Sequence, residues 1–314
     1  MPEGAQKANG QRLTFGPYVK NLSDALDGGV PPGSWVVLYG NPGSYKTLHA
    51  LAFALAGLKE KERVVYVSTE QDWKSLKAQI SSLGWDYKAH DAHLTMKLLE
   101  DKDFGTFDIV WIDLDSLRYL AYALNRIVRE EGAGSRRRKY YWYYDPELFT
   151  FAIILGLEGV GVIDRRESEI TLEQVERLRI KEGYYAREGD SRAMLTVNKD
   201  ATARVVIDSI SVLFTGRWSV AGRTLTDIRV RLEAPTITYL LTSHVSKLSE
   251  DEMGSQIGHI VDGRIRLWNE LSGNAGRVTG WIAKMRLTDH SRALHEVKIA
   301  GKDNKYIEWS PLTR

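Results

Sequence analysis

Residues 40 to 47 read GNPGSYKT, set between the strand-forming run SWVVLY at 34 to 39 and the helix-like run Thr47 to Leu58. A glycine-bearing loop that leaves a buried strand and opens a helix has a specific physical use. Its successive N–H groups converge on one point, and the helix turns its positive end to the same point, so the loop suits a phosphate. Lys46 then reaches the β and γ phosphates, and Thr47 offers a hydroxyl to Mg²⁺. The pattern G-x-x-x-x-G-K-[ST] asks for glycine at position 45, where this chain has Tyr45. A side chain there either crowds the turn before the lysine or packs outward beside the nucleotide. Gly40, Asn41, Pro42, Gly43, Ser44, Tyr45, Lys46 and Thr47 are accordingly expected to bind ATP, the alternative being an empty structural loop.

The surrounding pattern predicts an α/β fold. RVVYVSTE at 63 to 70 is a second strand, WKSLKAQISSL at 73 to 83 an amphipathic helix closed by Gly84, and FDIVWI at 107 to 112 a further strand. ARVVIDSISVL at 203 to 213 and PTITYLLTSHVS at 235 to 246 follow, with Leu225 to Leu232 as a crossover helix. This order makes a mainly parallel sheet flanked by helices. After about residue 259 the rhythm changes to alternating apolar and polar residues, which predicts antiparallel strands at one edge. One domain over 1–311 accounts for these elements.

A phosphate loop needs an acid on a neighbouring strand to hold the hydrated metal. Asp208 in VVIDS is favoured as the Mg²⁺ residue, and Asp113 in IVWID is read as the exit of a strand. Glu70 ends the second strand, and parallel strands converge on one crevice at their C-terminal ends, so Glu70 and Asp208 can both approach the γ-phosphate. A carboxylate there orients the attacking water. Glu70 as a plain surface acid remains the alternative.

Composition narrows the field. The chain has no Cys and seven scattered His, which excludes thiol chemistry and disfavours a structural zinc site. Its 43 Lys and Arg against 41 Asp and Glu give a net charge of +2, so any nucleic-acid case has to be local. The first residues lack an apolar signal region and no run approaches the length of a membrane span, which predicts a cytoplasmic protein without membrane contact. Residues 118–200 fit the core poorly and are expected to form an inserted, partly helical subdomain, with a capping box at Thr171 and Gln174. Arg136, Arg137, Arg138 and Lys139 precede five aromatics, Tyr140 to Tyr144. They make either a solvated turn before an internally packed segment, or a surface for phosphates, bases or a partner protein.

An ordered series of phrases resembles the KaiC branch of the RecA-like ATPases. TFGPYVKNLSDALDGGVPPGS before the loop, VVYVSTEQD, SLGWD, RVVIDSIS, HIVDGRIRL, AKMRLTDHS and ALHEVKI each have a counterpart in that family. The resemblance spans about residues 12 to 96 and 200 to 310, and implies a RecA-like P-loop NTPase. It also implies a homo-oligomer, commonly a hexameric ring, with ATP between subunits. Lys284 and Arg286 would then act in trans on a neighbour's γ-phosphate; an edge-strand basic pair facing solvent is the alternative. Three positions depart from the family: Tyr45, Gln71 in place of the second acid of a Glu-Glu pair, and Leu287 in place of a glycine. The resulting expectation is an assembly-dependent Mg²⁺-ATPase with a regulatory or signalling role. A DNA-binding recombinase-like ATPase and a nucleotide-gated scaffold without significant hydrolysis are the alternatives.

Overall fold

The strand-forming runs and helical periodicities fold in sequence order. The first part of the chain forms β1 (Val19–Lys20), α1 (Leu22–Ala25), β2 (Trp35–Gly40), α2 (Lys46–Lys59), β3 (Arg63–Ser68) and α3 (Trp73–Ser82). Then come β4 (Asp91–His93), β5 (Ile109–Ile112), α4 (Leu114–Glu130), α5 (Pro146–Gly159), β6 (Ala203–Asp208) and α6 (Trp218–Leu232). The last part forms β7 (Ile237–His244), β8 (Gly263–Ser272), β9 (Ala275–Met285), β10 (His295–Ala300) and β11 (Tyr306–Pro311). The structure, a computed structural model, describes residues 12–94, 106–130, 146–163, 197–198, 201–213, 218–245, 256–272, 275–303 and 305–312.

The strands form one mixed sheet in the order β1, β11, β10, β9, β8, β2, β7, β6, β3, β5, β4. From β8 to β4 every neighbouring pair is parallel. Strands β8 to β11 pair antiparallel in succession, and β1 closes the edge parallel to β11. Strands β2, β5 and β6 are buried throughout, as parallel strands must be when helices cover both faces. Because side chains alternate along a strand, Val37, Val65, Val205 and Leu241 meet α4, α5 and α6 through Leu117, Phe149, Ile153 and Leu225. Val36, Leu38, Val64, Tyr66 and Val206 face the other way, toward Leu51, Leu55, Leu76 and Ile80 of α2 and α3.

Several boundaries differ from the sequence expectation. The run 203 to 213 stops being a strand at Asp208, and Ile210–Leu213 is a 3₁₀ turn. Ser211 N donates to Ser209 Oγ at 3.0 Å, so a hydroxyl replaces the ladder partner. Helix α6 starts at Trp218, well before Leu225. Strand β4 pairs with β5 although Asp91–His93 carries no apolar run. Within 118–200, the described helix α5 packs against α4, α6, β3 and β5. The helical pattern at 171 to 185 and the run 136 to 144 lie outside the described residues. Among the described residues, no helix is long and apolar enough to cross a membrane.

Candidate nucleotide-binding site

Strand β2 delivers the loop through Gly40, where a Cβ would run into the Leu267 carbonyl oxygen of β8. Asn41 Nδ2 donates to Asn269 O at 2.5 Å, and Asn269 N donates to Asn41 Oδ1 at 2.7 Å. This reciprocal pair ties the start of the loop to β8. Ser44 Oγ donates to Asn41 O at 2.8 Å and draws the loop into a ring. Gly43 and Tyr45 both take positive φ, 76° and 65°. For tyrosine this left-handed conformation costs about 1–2 kcal/mol. Its ring is partly buried against the apolar cluster that includes α2. The Tyr45 carbonyl receives His49 N at 3.1 Å and lies 2.8 Å from His49 Nδ1.

Lys46 is buried, and its Nζ donates to Gly40 O at 3.0 Å, Asn41 O at 2.7 Å and Ser44 Oγ at 3.2 Å. Burial pushes its pKa down to about 8, against the pull of Asp208 and Glu70. Asp208 ends β6 directly beside β3, where Ser68 is its register partner. Its Oδ1 accepts from Thr242 Oγ1 at 2.5 Å and its Oδ2 from Tyr66 OH at 3.1 Å, and the Thr47 hydroxyl is a further hydrogen-bond partner. Burial raises the Asp208 pKa, and the hydroxyls oppose that rise. The loop lysine, the loop threonine and the strand acid therefore lie together.

Glu70 lies two residues beyond β3. His244 Nε2 stands 2.9 Å and 3.0 Å from its two carboxylate oxygens. That hydrogen bond is the main reason the Glu70 pKa lies below the usual range, despite partial burial. His244 ends β7 and pairs in register with Gly40, so it stands at the same end of the sheet as the loop. The sequence reading missed it; the available signal was a histidine at the C-terminal end of a central parallel strand. Gln71 turns away, its Oε1 accepting from Gln79 Nε2 at 2.7 Å, and Asp72 caps α3 by accepting from Ser75 N at 2.8 Å. Asp113 follows β5 and is occupied by Ser116 N at 3.0 Å, Trp73 N at 3.3 Å and His93 Nε2 at 2.9 Å.

A family described as the KaiC ATPases matches residues 16–136 and 162–309. The chain belongs to the KaiC ATPase family. Similar proteins include a UPF0273 protein of Methanopyrus kandleri, 25% identical over 92% of this chain and 89% of that protein. A UPF0273 protein of Pyrobaculum aerophilum is 26% identical over 93% of this chain and 83% of its own length. Among solved structures, a KaiC-like protein of Pyrococcus horikoshii superposes with a TM-score of 0.54 at 20% identity, covering 93% of this chain and 96% of that one. The fold is thus a RecA-like P-loop NTPase core, mostly parallel with an antiparallel C-terminal edge. The family match leaves out 137–161, which holds α5.

In this KaiC-family chain Lys284 and Arg286 stand apart from the loop. Lys284 pairs with Arg264, whose other neighbour is Val37, and its Nζ donates to Gly258 O at 2.7 Å and Val261 O at 2.6 Å. Those carbonyls precede β8, so the amine points to the N-terminal end of β2, opposite the loop. Arg286 approaches Asp262 Oδ1 at 3.4 Å and donates to His259 O at 3.2 Å. Leu287, at φ 63°, is strongly exposed. Neither cation reaches the loop of its own chain. The run Arg136, Arg137, Arg138 and Lys139 lies outside the described residues.

The donors present fit Mg²⁺-ATP. Thr47 and Asp208 form a hydroxyl–carboxylate pair, and Mg²⁺ takes few protein ligands because it keeps waters and phosphate oxygens. Gly43 is exposed at a positive φ, so the loop backbone there is not covered by a Cβ.

Proposed function

We propose that the chain is a cytoplasmic, assembly-dependent Mg²⁺-ATPase whose nucleotide state regulates a partner. The observation that carries this reading is the convergence of Lys46, Thr47, Asp208 and Glu70 at one end of the parallel run β2, β7, β6, β3. ATP phosphates would lie against the N–H groups of 40–47, with Lys46 exchanging a loop carbonyl for a phosphate oxygen. Thr47 and Asp208 would hold Mg²⁺, which supplies charge neutralisation on the β and γ oxygens when bound. Glu70, kept ionised by His244, would orient the water that attacks the γ-phosphorus as the bond to the bridging oxygen breaks, leaving ADP and phosphate. A carboxylate of low pKa is a weak proton acceptor, so orientation is its larger contribution.

Lys284 and Arg286 face away from their own loop, which suits cations that act on a neighbouring subunit's nucleotide. A homo-oligomeric ring, six-membered in the family pattern, would place them there. Binding without turnover is a second reading, favoured by Tyr45 at the loop turn and by Gln71 turned toward α3. The recombinase-like reading rests on Arg136 to Lys139, and no other observation favours it.

The test combines Mg²⁺-dependent phosphate release with native mass in ADP, in a non-hydrolysable ATP analogue and without nucleotide. Lys46→Ala should abolish release. The Lys284→Ala, Arg286→Ala double variant should bind ATP and turn it over slowly. Tight ATP binding without phosphate release in any oligomeric state would refute the enzyme and leave the nucleotide-gated scaffold.

A further inference from the structure

His49 sits one helical turn into α2, fully buried, with both ring nitrogens engaged. Trp309 Nε1, an indole N–H that can only donate, lies 2.9 Å from His49 Nε2. The Tyr45 carbonyl, which can only accept, lies 2.8 Å from Nδ1. The hydrogen must therefore be on Nδ1, and Nε2 is the acceptor. Trp309 is itself fixed: it is fully buried in β11, and its six-membered ring occupies the place a Cβ on Gly280 of β9 would take. Asn21 Nδ2 donates to its carbonyl at 3.0 Å.

The target of this relay is the peptide that joins Tyr45 to Lys46. Its carbonyl points down the helix and receives two N–H groups from one residue, His49 N and His49 Nδ1. In a planar trans peptide the N–H points opposite the C=O, so the Lys46 N–H is aimed out of the helix N-terminus into the loop. Tyr45 holds this peptide in a left-handed conformation that glycine would adopt unaided. We propose that His49, oriented by Trp309, is a positioning residue that locks the left-handed Tyr45 turn and thereby aims the loop's N–H groups at phosphate. The antiparallel edge of the sheet is in this way coupled to the phosphate loop through two side chains. The nucleotide half of this proposal rests on the function proposed above; the structural half does not.

The two ring nitrogens can be separated by substitution. In His49→Asn the amide nitrogen falls near the Nδ1 place and keeps the donor to Tyr45 O. In His49→Gln the amide oxygen falls near the Nε2 place and keeps only the acceptor for Trp309. ADP affinity is measured for both variants in the wild-type and Tyr45→Gly backgrounds, each checked for cooperative urea unfolding. One net hydrogen bond corresponds to about fivefold, so His49→Gln should weaken ADP about fivefold and His49→Asn about twofold or less. In the Tyr45→Gly background the His49→Gln effect should shrink to about twofold or less, because glycine needs no lock. Equal losses for His49→Asn and His49→Gln, or a His49→Gln effect undiminished by Tyr45→Gly, would overturn the proposal and reduce His49 to a space-filling residue. If the wild type binds no nucleotide, the function proposed above fails. The same cycle is then read in hydrogen-exchange protection of the first turn of α2, where His49→Gln must lose less in the Tyr45→Gly background. If the His49 variants do not fold, Trp309→Phe, which removes the indole donor together with part of the buried ring volume, replaces them in the cycle, and its effect on ADP affinity must likewise shrink in the Tyr45→Gly background.

Discussion

Replacing Lys46 with Met removes the ammonium but keeps most of the buried stem. Burial lowers this lysine from 10.5 to about 8, a gap that corresponds to about 3 kcal/mol of destabilisation of the free protein at neutral pH. Loss of its bonds to the Gly40 and Asn41 carbonyls and to Ser44 Oγ acts the other way, at about 1 kcal/mol each. The free Lys46→Met protein should therefore be within about 1 kcal/mol of wild type at pH 7. The sign can be checked by pH. The folded pKa lies below the unfolded value, so the unfolded chain holds the proton more firmly. The penalty is complete below about 8 and disappears as pH rises toward 10.5, where wild type should become the more stable protein. A charge-assisted contact with phosphate is worth about 1.5–3 kcal/mol, so ATP affinity should fall by about 10- to 100-fold. Urea unfolding with and without Mg²⁺-ATP reads both effects. A variant destabilised by about 2 kcal/mol or more, or one that ATP stabilises as much as wild type, would refute the reasoning.

Two further perturbations follow from the geometry. His244→Ala removes the bond that holds the Glu70 pKa down, so the acid limb of the pH–rate profile should move to higher pH while ATP binding is retained; an unmoved limb would separate Glu70 from turnover. At Asp113, burial raises the pKa, but hydrogen bonds from His93 and Ser116 outweigh it and bring it from 3.8 to about 2. Its contribution, about 2 kcal/mol, is complete above about 3.8 and lost as pH falls through about 2. Asp113→Asn should lose that amount at neutral pH, as read by urea unfolding, and should lose less than wild type on acidification; parallel acid profiles would contradict the assignment.

The central strands were legible because parallel strands covered on both faces must be apolar along their length, as VVYV of β3 and VVI of β6 are. The phosphate loop was legible because its chemistry depends on residues adjacent in sequence, Lys46 and Thr47 opening the helix that follows Gly40 to Tyr45. Strand β4 was not, because Asp91–His93 is recruited by pairing with β5 and carries no hydrophobic period of its own. The partners of the site residues depended on strand order. Glu70 meets His244 because β3 and β7 flank β6, and Lys284 turns from the loop because β9 runs antiparallel to β8. His49 and Trp309 are 260 residues apart, and only the placement of β11 over α2 brings an indole N–H to an imidazole nitrogen. Local periodicity and turn chemistry determine which elements form, since their energies depend on neighbours a few residues away. Which side chains meet is decided by sheet order and register, a long-range choice made by packing, and that choice placed the groups around the loop.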